Sequence, residues 1–335
     1  MKAARVAVLG ATGAVGSEML RILEERDFPL SELKLLADAN DAGQRLVFGG
    51  KEYIVEEATP DSFAGIDITL VAVGNAVSLA FTPEAVKRGS IVIDNSSAYR
   101  LDPSVPLVVP EVNPEDVRWH KGVIANPNCS TIIALVALKP LHAFAEIERM
   151  IVSTYQAVSG AGRLGISELE EQSRNHLAGS PVEPKVFAHQ IAYNVIPHID
   201  EFQENAYTKE EMKMLHESRK ILHAEELRVC STCVRVPVFR SHSESIVIET
   251  TRKLSPAKAR ELLARAPGVR VVDDPARSAY PMPIDSSNQD LVLVGRIRED
   301  ISAGNSLALW ACGDQLRKGA ATNAVQIAEL VIREG

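Results

Sequence analysis

The chain has 335 residues, which at roughly 150 residues per domain suggests two domains. Its 36 Lys and Arg against 44 Asp and Glu leave a formal net charge of −8, which argues against a general nucleic-acid binder, since that role needs a basic surface to displace counterions. Apolar residues at 46% and charged residues at 24% exclude a disordered chain, and the longest strictly apolar run, Ile132 to Leu138, is far shorter than the roughly 20 residues of a membrane helix.

The first half alternates strands and helices. Met1-Lys2-Ala3-Ala4-Arg5 carries no signal-peptide pattern and runs into a short β-branched strand, Arg5 to Leu9, that ends at Gly10. Ser17 to Arg26 has helical apolar spacing, Leu33 to Leu36 reads as a second strand and Ile68 to Val73 as a third. Thr82 to Arg88 reads as a helix and Ile91 to Asp94 as a fourth strand. This order predicts βαβ units and a parallel, doubly covered sheet of Rossmann type. After Asn126-Pro127-Asn128-Cys129, a buried helix is expected from Ser130 to Leu141. Longer, more alternating strands follow: Arg149 to Tyr155, Arg228 to Val238, Glu244 to Thr250, Leu291 to Glu299 and Ser306 to Cys312. They predict an α+β domain with a mostly antiparallel sheet, interrupted by a long polar stretch near 161 to 226. Gln315 to Ile332 reads as a closing helix. The expected domains are 1–129, with 315–335 packing back on it, and 130–314.

Gly10-Ala11-Thr12-Gly13-Ala14-Val15-Gly16 follows a strand and opens a helix. Glycines there let the backbone turn tightly beside a pyrophosphate, and the helix N-terminus offers free N–H groups to its charge. The bland alternative is a glycine turn that only packs strand on helix. Asp38 lies 22 residues beyond Gly16, where an acid that binds the adenosine ribose is expected. A carboxylate there accepts from a 2′-OH and repels a 2′-phosphate, or it merely starts a solvated turn.

Cys129 sits at the start of a helix, where the N–H dipoles favour a thiolate, so it is a candidate nucleophile; the alternative is a small buried hydrophobe. Cys230 and Cys233 form a C-x-x-C, but on a strand they point to opposite faces and cannot easily share a metal. Four cysteines are too few for a disulfide scaffold, and a reduced, cytoplasmic setting is expected. His242 lies in a polar turn between two apolar strands, where a functional side chain can be presented.

Taken together, the ordered segments GATGAVG (10–16), DNSSAYR (94–100), VPEVN (109–113), NPNCST (126–131), TYQAVSGAG (154–162), CVRVPVFRSHSES (233–245) and GDQLRKGAATNAVQ (313–326) resemble aspartate-semialdehyde dehydrogenases over nearly the whole chain. The resemblance implies reversible reductive dephosphorylation of L-aspartyl 4-phosphate to L-aspartate 4-semialdehyde, at the head of lysine, threonine, methionine and diaminopimelate synthesis. It implies Cys129 as the thioacyl-forming nucleophile, His242 as general acid/base and Gln156 as the residue that orients substrate. Arg235 would clamp the α-carboxylate and Glu210 the ammonium, while Lys213, Arg100 and Asn128 would take the phosphate. Glu210 and Lys213 lie three apart on one helical face, so a plain solvated ion pair is the alternative for them. Ser159, Gly160 and Gln315 are similar to positions that touch nicotinamide. The family also implies a small-molecule substrate and a homodimer or tetramer formed through the second domain, with 161–226 as a candidate contact region.

The resemblance implies NADP, but relatives that use it commonly read LASxRSAG where this chain has Leu36-Ala37-Asp38-Ala39-Asn40-Asp41-Ala42-Gly43. An arginine has become Asn40 and two hydroxyls have become Asp38 and Asp41, so NAD is expected to serve at least as well. Val73-Gly74-Asn75-Ala76 also departs from the expected small-residue loop. The nearest rival is an N-acetyl-glutamyl-phosphate reductase, whose uncharged acetamido group gives no reason for an acid at Glu210. A catalytically silent dinucleotide binder is a second, set against by the presence of both Cys129 and His242.

Overall fold

The computed structural model describes residues 3–334; Met1, Lys2 and Gly335, which belong to the termini read above, lie outside it. The chain forms two compact units. One runs to Asn128 and resumes at Ala320, and the other is Cys129–Gly319.

In the first unit, β1 (Ala4–Leu9), α1 (Ala14–Glu25) and β2 (Leu30–Ala37) are followed by a hairpin of β3 (Arg45–Phe48) and β4 (Lys51–Ile54). Then come β5 (Glu56–Glu57), β6 (Ile68–Val71), α2 (Asn75–Lys87), β7 (Ile91–Asp94) and β8 (Val123–Ala125). The six-stranded sheet has the order β5-β2-β1-β6-β7-β8 and every pairing is parallel. Val6, Ala7 and Val8 on β1 are wholly buried, as expected of a central strand covered on both faces. From β1 the chain steps to β2 on one side and later to β6 on the other, so the strand order reverses between β1 and β6. Ligand crevices in open parallel sheets form beyond the carboxyl ends of strands at that point.

α2 begins seven residues before the helix expected from 82 to 88. Gly74 supplies its N-cap, and Pro83 falls inside it, which hid its first two turns from a periodicity reading. The C-terminal helix also differs from expectation. It starts at Thr322 rather than Gln315, after a π-helical turn at Arg317–Ala321, and Gln315 belongs to the second unit. Ile327 and Ala328 of this helix share one hydrophobic core with Met19, Ile22 and Leu23 of α1, and the Glu329 carboxylate accepts from Arg26 Nε and Nη2 at 2.7 and 2.8 Å.

The second unit is built on α3 (Cys129–Ala145), β9 (Ile147–Gln156), α4 (Gly162–Leu177), α5 (Lys209–Leu222), β10 (Arg228–Arg235) and β11 (His242–Thr250). It continues with α6 (Pro256–Ala264), β12 (Val269–Val271), the one-turn α7 (Pro283–Ser286), β13 (Val292–Glu299) and β14 (Ser306–Gly313). Its sheet, ordered β10-β9-β11-β14-β13-β12, is mixed: three pairings are antiparallel, while β9 with β10 and β12 with β13 run parallel. On β11 the residues His242, Glu244, Ile246 and Ile248 are fully buried, whereas Ser245, Val247 and Glu249 are not. This period of two puts His242 on the covered face. α3 is apolar all round, and Ile132 to Leu138 are all buried, which explains the chain's longest apolar run. The polar stretch from 161 to 226 contains α4 and α5. Thr208 caps α5 through a reciprocal capping box with Glu211.

Candidate active site and nucleotide cleft

The glycine loop borders a cleft of about 490 Å³ in the first unit. Gly10 has φ +87, and a Cβ there would lie 2.5 Å from the Ala72 carbonyl oxygen, so only glycine fits. A Cβ on Gly16 would strike the Gly10 carbonyl oxygen at 2.0 Å, which makes Gly16 the close-packing glycine of the turn. Gly10, Thr12, Gly13, Asp38 and Asp41 line the cleft; Ala14, Val15, Gly16 and Asn40 do not. Gly13 is the N-cap of α1, whose first turn carries no acidic residue and whose cap makes no side-chain hydrogen bond. The bland reading of Asp38 is also realised, since its Oδ1 accepts from Asn40 N at 2.8 Å and Asp41 N at 3.2 Å. Thr12 Oγ1 donates to the Asp41 carboxylate. The lining carries three carboxylates, Asp38, Asp41 and Glu57, and no Lys or Arg. A turn with room beside Gly13 and a carboxylate-lined far end suits a dinucleotide with free ribose hydroxyls.

Arg100 and Asn128 also belong to the first unit, and both are buried. Arg100 Nε donates to the Asn126 carbonyl at 2.9 Å and Nη2 to the Asn95 carbonyl at 2.8 Å. Asn75, in the divergent loop, accepts from Ser97 N at 2.9 Å.

Cys129 is the first residue of α3 and half-buried. A Cβ on Gly319 would lie 3.0 Å from the Cys129 Cβ and 3.4 Å from the Gln315 Cβ, so Gln315 and Cys129 share one neighbour. Gln315 Oε1 accepts from Ser241 N at 2.8 Å, and its Nε2 donates to Ser159 Oγ. Ser241 has φ +73, a left-handed conformation costing on the order of 1 kcal/mol or more for a non-glycine residue. That turn delivers His242 into the start of β11. A Cβ on Gly160 would fall 2.7 Å from Arg235 Nη1 and 3.3 Å from His242 Cε1. The fold thus brings Ser159, Gly160, Arg235, His242 and Gln315 together.

Gln156 closes β9 and is buried. Its Oε1 accepts from Thr154 Oγ1 at 3.0 Å, and its Nε2 donates to Glu210 Oε1 at 3.2 Å. Glu210 Oε2 receives Lys213 Nζ at 3.0 Å, and Lys213 also reaches Asp200 at 2.8 Å. The ion pair allowed by their spacing therefore forms, but at a buried Glu210 rather than on a solvated face. Burial alone pushes the Lys213 ammonium pKa down, and Glu210 and Asp200 more than reverse that, so it is raised overall.

Arg235, 6% exposed, donates from Nη1 to the Ala157 carbonyl at 2.7 Å and stacks its guanidinium 5.7 Å from the centre of the Phe187 ring. No carboxylate pairs with it among the described residues, and it faces a cleft of about 330 Å³ with Phe187, His198 and Asp200. Desolvation lowers its pKa, partly offset by Glu210 and Cys129. His242 is fully buried; burial and then Arg235 push its pKa down to about 3, against a smaller opposite effect of Glu210.

Several residues here carry no local sequence signal of their place in the site. Thr154 sits two residues before Gln156 on the same strand face, so period-two counting finds it once Gln156 is known. Phe187 lies far from Arg235 in sequence; Gln172 of α4 brings it there by accepting from Ile191 N at 2.8 Å and Ala192 N at 3.1 Å. Glu244 is buried with both carboxylate oxygens unpaired, and desolvation raises its pKa well above the usual range. Cys230 is exposed and Cys233 buried, on opposite faces of β10. Among the described residues no cluster of three or more His, Cys, Asp or Glu could hold a metal.

Fold and site together define a dinucleotide-dependent dehydrogenase with a cysteine and a buried histidine in its second unit. Residues 5–120 match the family model described as semialdehyde dehydrogenase, NAD binding domain, and 138–318 match semialdehyde dehydrogenase, dimerisation domain. An aspartate-semialdehyde dehydrogenase of Aquifex aeolicus is 55% identical over 336 residues, covering 99% of this chain and 98% of the relative. The crystal structure of aspartate semialdehyde dehydrogenase II from Vibrio cholerae complexed with ASA has a TM-score of 0.97 and 45% identity, with 99% of each chain covered. The structure of the Candida albicans enzyme with NADP has a TM-score of 0.75 and 25% identity, covering 98% of each chain. The chain belongs to the aspartate-semialdehyde dehydrogenase family and carries its NAD(P)-binding domain. No helix among the described residues is long and apolar enough to cross a membrane.

Proposed function

We propose that the chain catalyses the phosphate-dependent, reversible interconversion of L-aspartate 4-semialdehyde and L-aspartyl 4-phosphate through a thioacyl group on Cys129. One observation supports it above the others: Arg235 is a buried guanidinium with no carboxylate partner among the described residues, beside the buried carboxylate Glu210. A buried cation without a partner costs several kcal/mol, so the site is completed by an incoming anion. A free carboxylate on Arg235 and a free ammonium on Glu210 describe an α-amino acid end. The acetylated amino group of N-acetyl-glutamyl phosphate would leave Glu210 unmatched.

Within that reading Cys129 is the nucleophile, Arg235 and Glu210 hold the substrate's amino-acid end, and Gln156 orients it. Lys213 uses two of its three N–H donors on Glu210 and Asp200, which leaves one for a phosphate oxygen. Arg100 and Asn128 would complete phosphate binding. Gly10, Thr12, Gly13 and the N-terminus of α1 would hold the dinucleotide, with Ser159, Gly160 and Gln315 serving its nicotinamide end. When bound, that group supplies or accepts a hydride at the acyl carbon. The carboxylate lining supports NAD at least as strongly as NADP.

The first unit then acts as the dinucleotide domain and the second as the catalytic and dimerisation domain. The uncovered face of the second sheet, with Tyr155 against Trp310 and a cavity of about 380 Å³ beside Ser245 and Met282, suits a homodimer contact. The four free cysteines suit a reduced, cytoplasmic setting.

The test is semialdehyde oxidation followed by cofactor reduction. L-aspartate 4-semialdehyde with inorganic phosphate should turn over, and N-acetyl-glutamate semialdehyde should be slower by about 10³-fold or more, as expected when buried polar groups lose their partners. Equal rates on both, or no need for phosphate, would overturn the assignment.

A further inference from the structure

One side chain ties the turn after β2 to the glycine loop. Asp41 Oδ1 accepts from Gln44 Nε2 at 2.7 Å, and Asp41 Oδ2 accepts from Thr12 Oγ1, a contact that spans 29 residues of sequence. The Asp41 side is firmly held. Asp41 N and Ala42 N donate to the Asp38 carbonyl at 3.2 and 3.0 Å, and Asp38 Oδ1 takes the N–H groups of Asn40 and Asp41. Just beyond β4, Gly43 N donates to the Val55 carbonyl at 2.8 Å and Val55 N to the Gln44 carbonyl at 2.9 Å. The Thr12 side has less to hold it, since Thr12 N–H meets no acceptor among the described residues. A serine at position 41, as in the LASxRSAG pattern, is shorter and uncharged and cannot engage both neighbours through two carboxylate oxygens.

The two aspartates of the cleft therefore differ. Asp38 uses one oxygen on its own turn, and no donor among the described residues meets its Oδ2. Asp41 has both oxygens engaged. The Thr12 hydroxyl carries a single hydrogen, and once given to Asp41 it cannot also go to a phosphate oxygen. We propose that Asp41 is a positioning residue for the glycine loop: it fixes Thr12 before any ligand arrives, so that the unpaired Thr12 N–H and the N-terminus of α1 receive the pyrophosphate, while Asp38 Oδ2 takes the ribose hydroxyls.

The contact suits that role. A hydroxyl given to a carboxylate makes a charge-assisted bond, stronger than a neutral one. It joins the turns that follow β1 and β2, which are adjacent parallel strands, at the carboxyl ends where the cleft opens. A loop ordered in advance loses little further freedom when the ligand binds, so the order appears as affinity. NAD and NADP share the pyrophosphate, so the tie strengthens both alike and is separate from the choice between them.

The inference rests on the dinucleotide reading of the cleft, so its first test uses the enzyme without ligand. Backbone amides of residues 11–16 should exchange with deuterium about 10-fold faster in Thr12→Val and in Asp41→Ala than in wild type. Thr12→Ser keeps the hydroxyl and should exchange as wild type does. Wild-type exchange in all three variants would overturn the proposal, whatever the enzyme binds. The second test is calorimetric binding of ADP-ribose, which carries the pyrophosphate without nicotinamide or a 2′-phosphate. Thr12→Val should raise its Kd by about 5- to 10-fold in the wild-type background, and by less than about twofold once Asp41→Ala is present. The same loss in both backgrounds would mean that the hydroxyl meets the ligand itself, and would overturn the proposal. If the wild type binds no ADP-ribose, the dinucleotide reading fails and takes the pyrophosphate role with it, while the exchange result still decides whether Asp41 orders the loop.

Discussion

Cys129→Ser should lower kcat for semialdehyde oxidation on the order of 10³-fold or more, with the fold and dinucleotide binding intact. The substitution exchanges one sulfur for an oxygen at the first residue of α3, so packing changes little. What is lost is ionisation: a serine hydroxyl stays protonated where a thiol at a helix N-terminus can ionise. Cys230→Ser is the matched control, since Cys230 is exposed on the far face of β10 and should leave kcat unchanged. A Cys129→Ser enzyme with more than about a tenth of wild-type kcat would remove Cys129 from the chemistry.

The wild-type kcat/KM with NAD should equal or exceed that with NADP, and the combined change Asp38→Ser, Asn40→Arg and Asp41→Ser should shift the ratio toward NADP by about 10²-fold. That shift corresponds to about 2.7 kcal/mol. It joins two effects: two carboxylates facing a 2′-phosphate are removed, and a guanidinium that pairs with it is added. Both effects should weaken with added salt, because the turn that carries Asp38 and Asn40 is exposed. The Asp38 change carries a separate cost, since Asp38 Oδ1 holds two backbone N–H groups of its turn, and serine replaces that carboxylate with a shorter hydroxyl. A strong wild-type preference for NADP, or no change in the ratio, would show that the lining carboxylates do not set the choice.

Much of this was legible in the residues. The βαβ order and the glycine loop pointed to the parallel sheet because strands buried on both faces are apolar throughout, as β1 is. Cys129 was legible as a helix-start cysteine. What local patterning could not show was the partner of each polar group. Nothing near Glu210 in sequence says that Gln156 donates to it, because that contact joins residues 54 apart. The helix at the chain's end read as continuous from Gln315, since a π-turn keeps helical composition while shifting the register. Parallel pairing of β10 with β9 was hidden because the connection between them holds α4, α5 and an irregular arm.

The acidic balance of the chain poses a question that the site answers. A net charge of −8 repels an anionic substrate at long range, so attraction has to be local. Under the proposed function Arg235 would supply it in the second unit, as a buried cation with no carboxylate partner among the described residues.

The most direct test of the account is the covalent step. The enzyme mixed with L-aspartate 4-semialdehyde and oxidised cofactor, without phosphate, should gain the mass of one aspartyl group on the peptide that contains Cys129, and phosphate should remove it. Cofactor reduction with Cys129 unmodified, or an acyl group carried on another residue, would contradict the account.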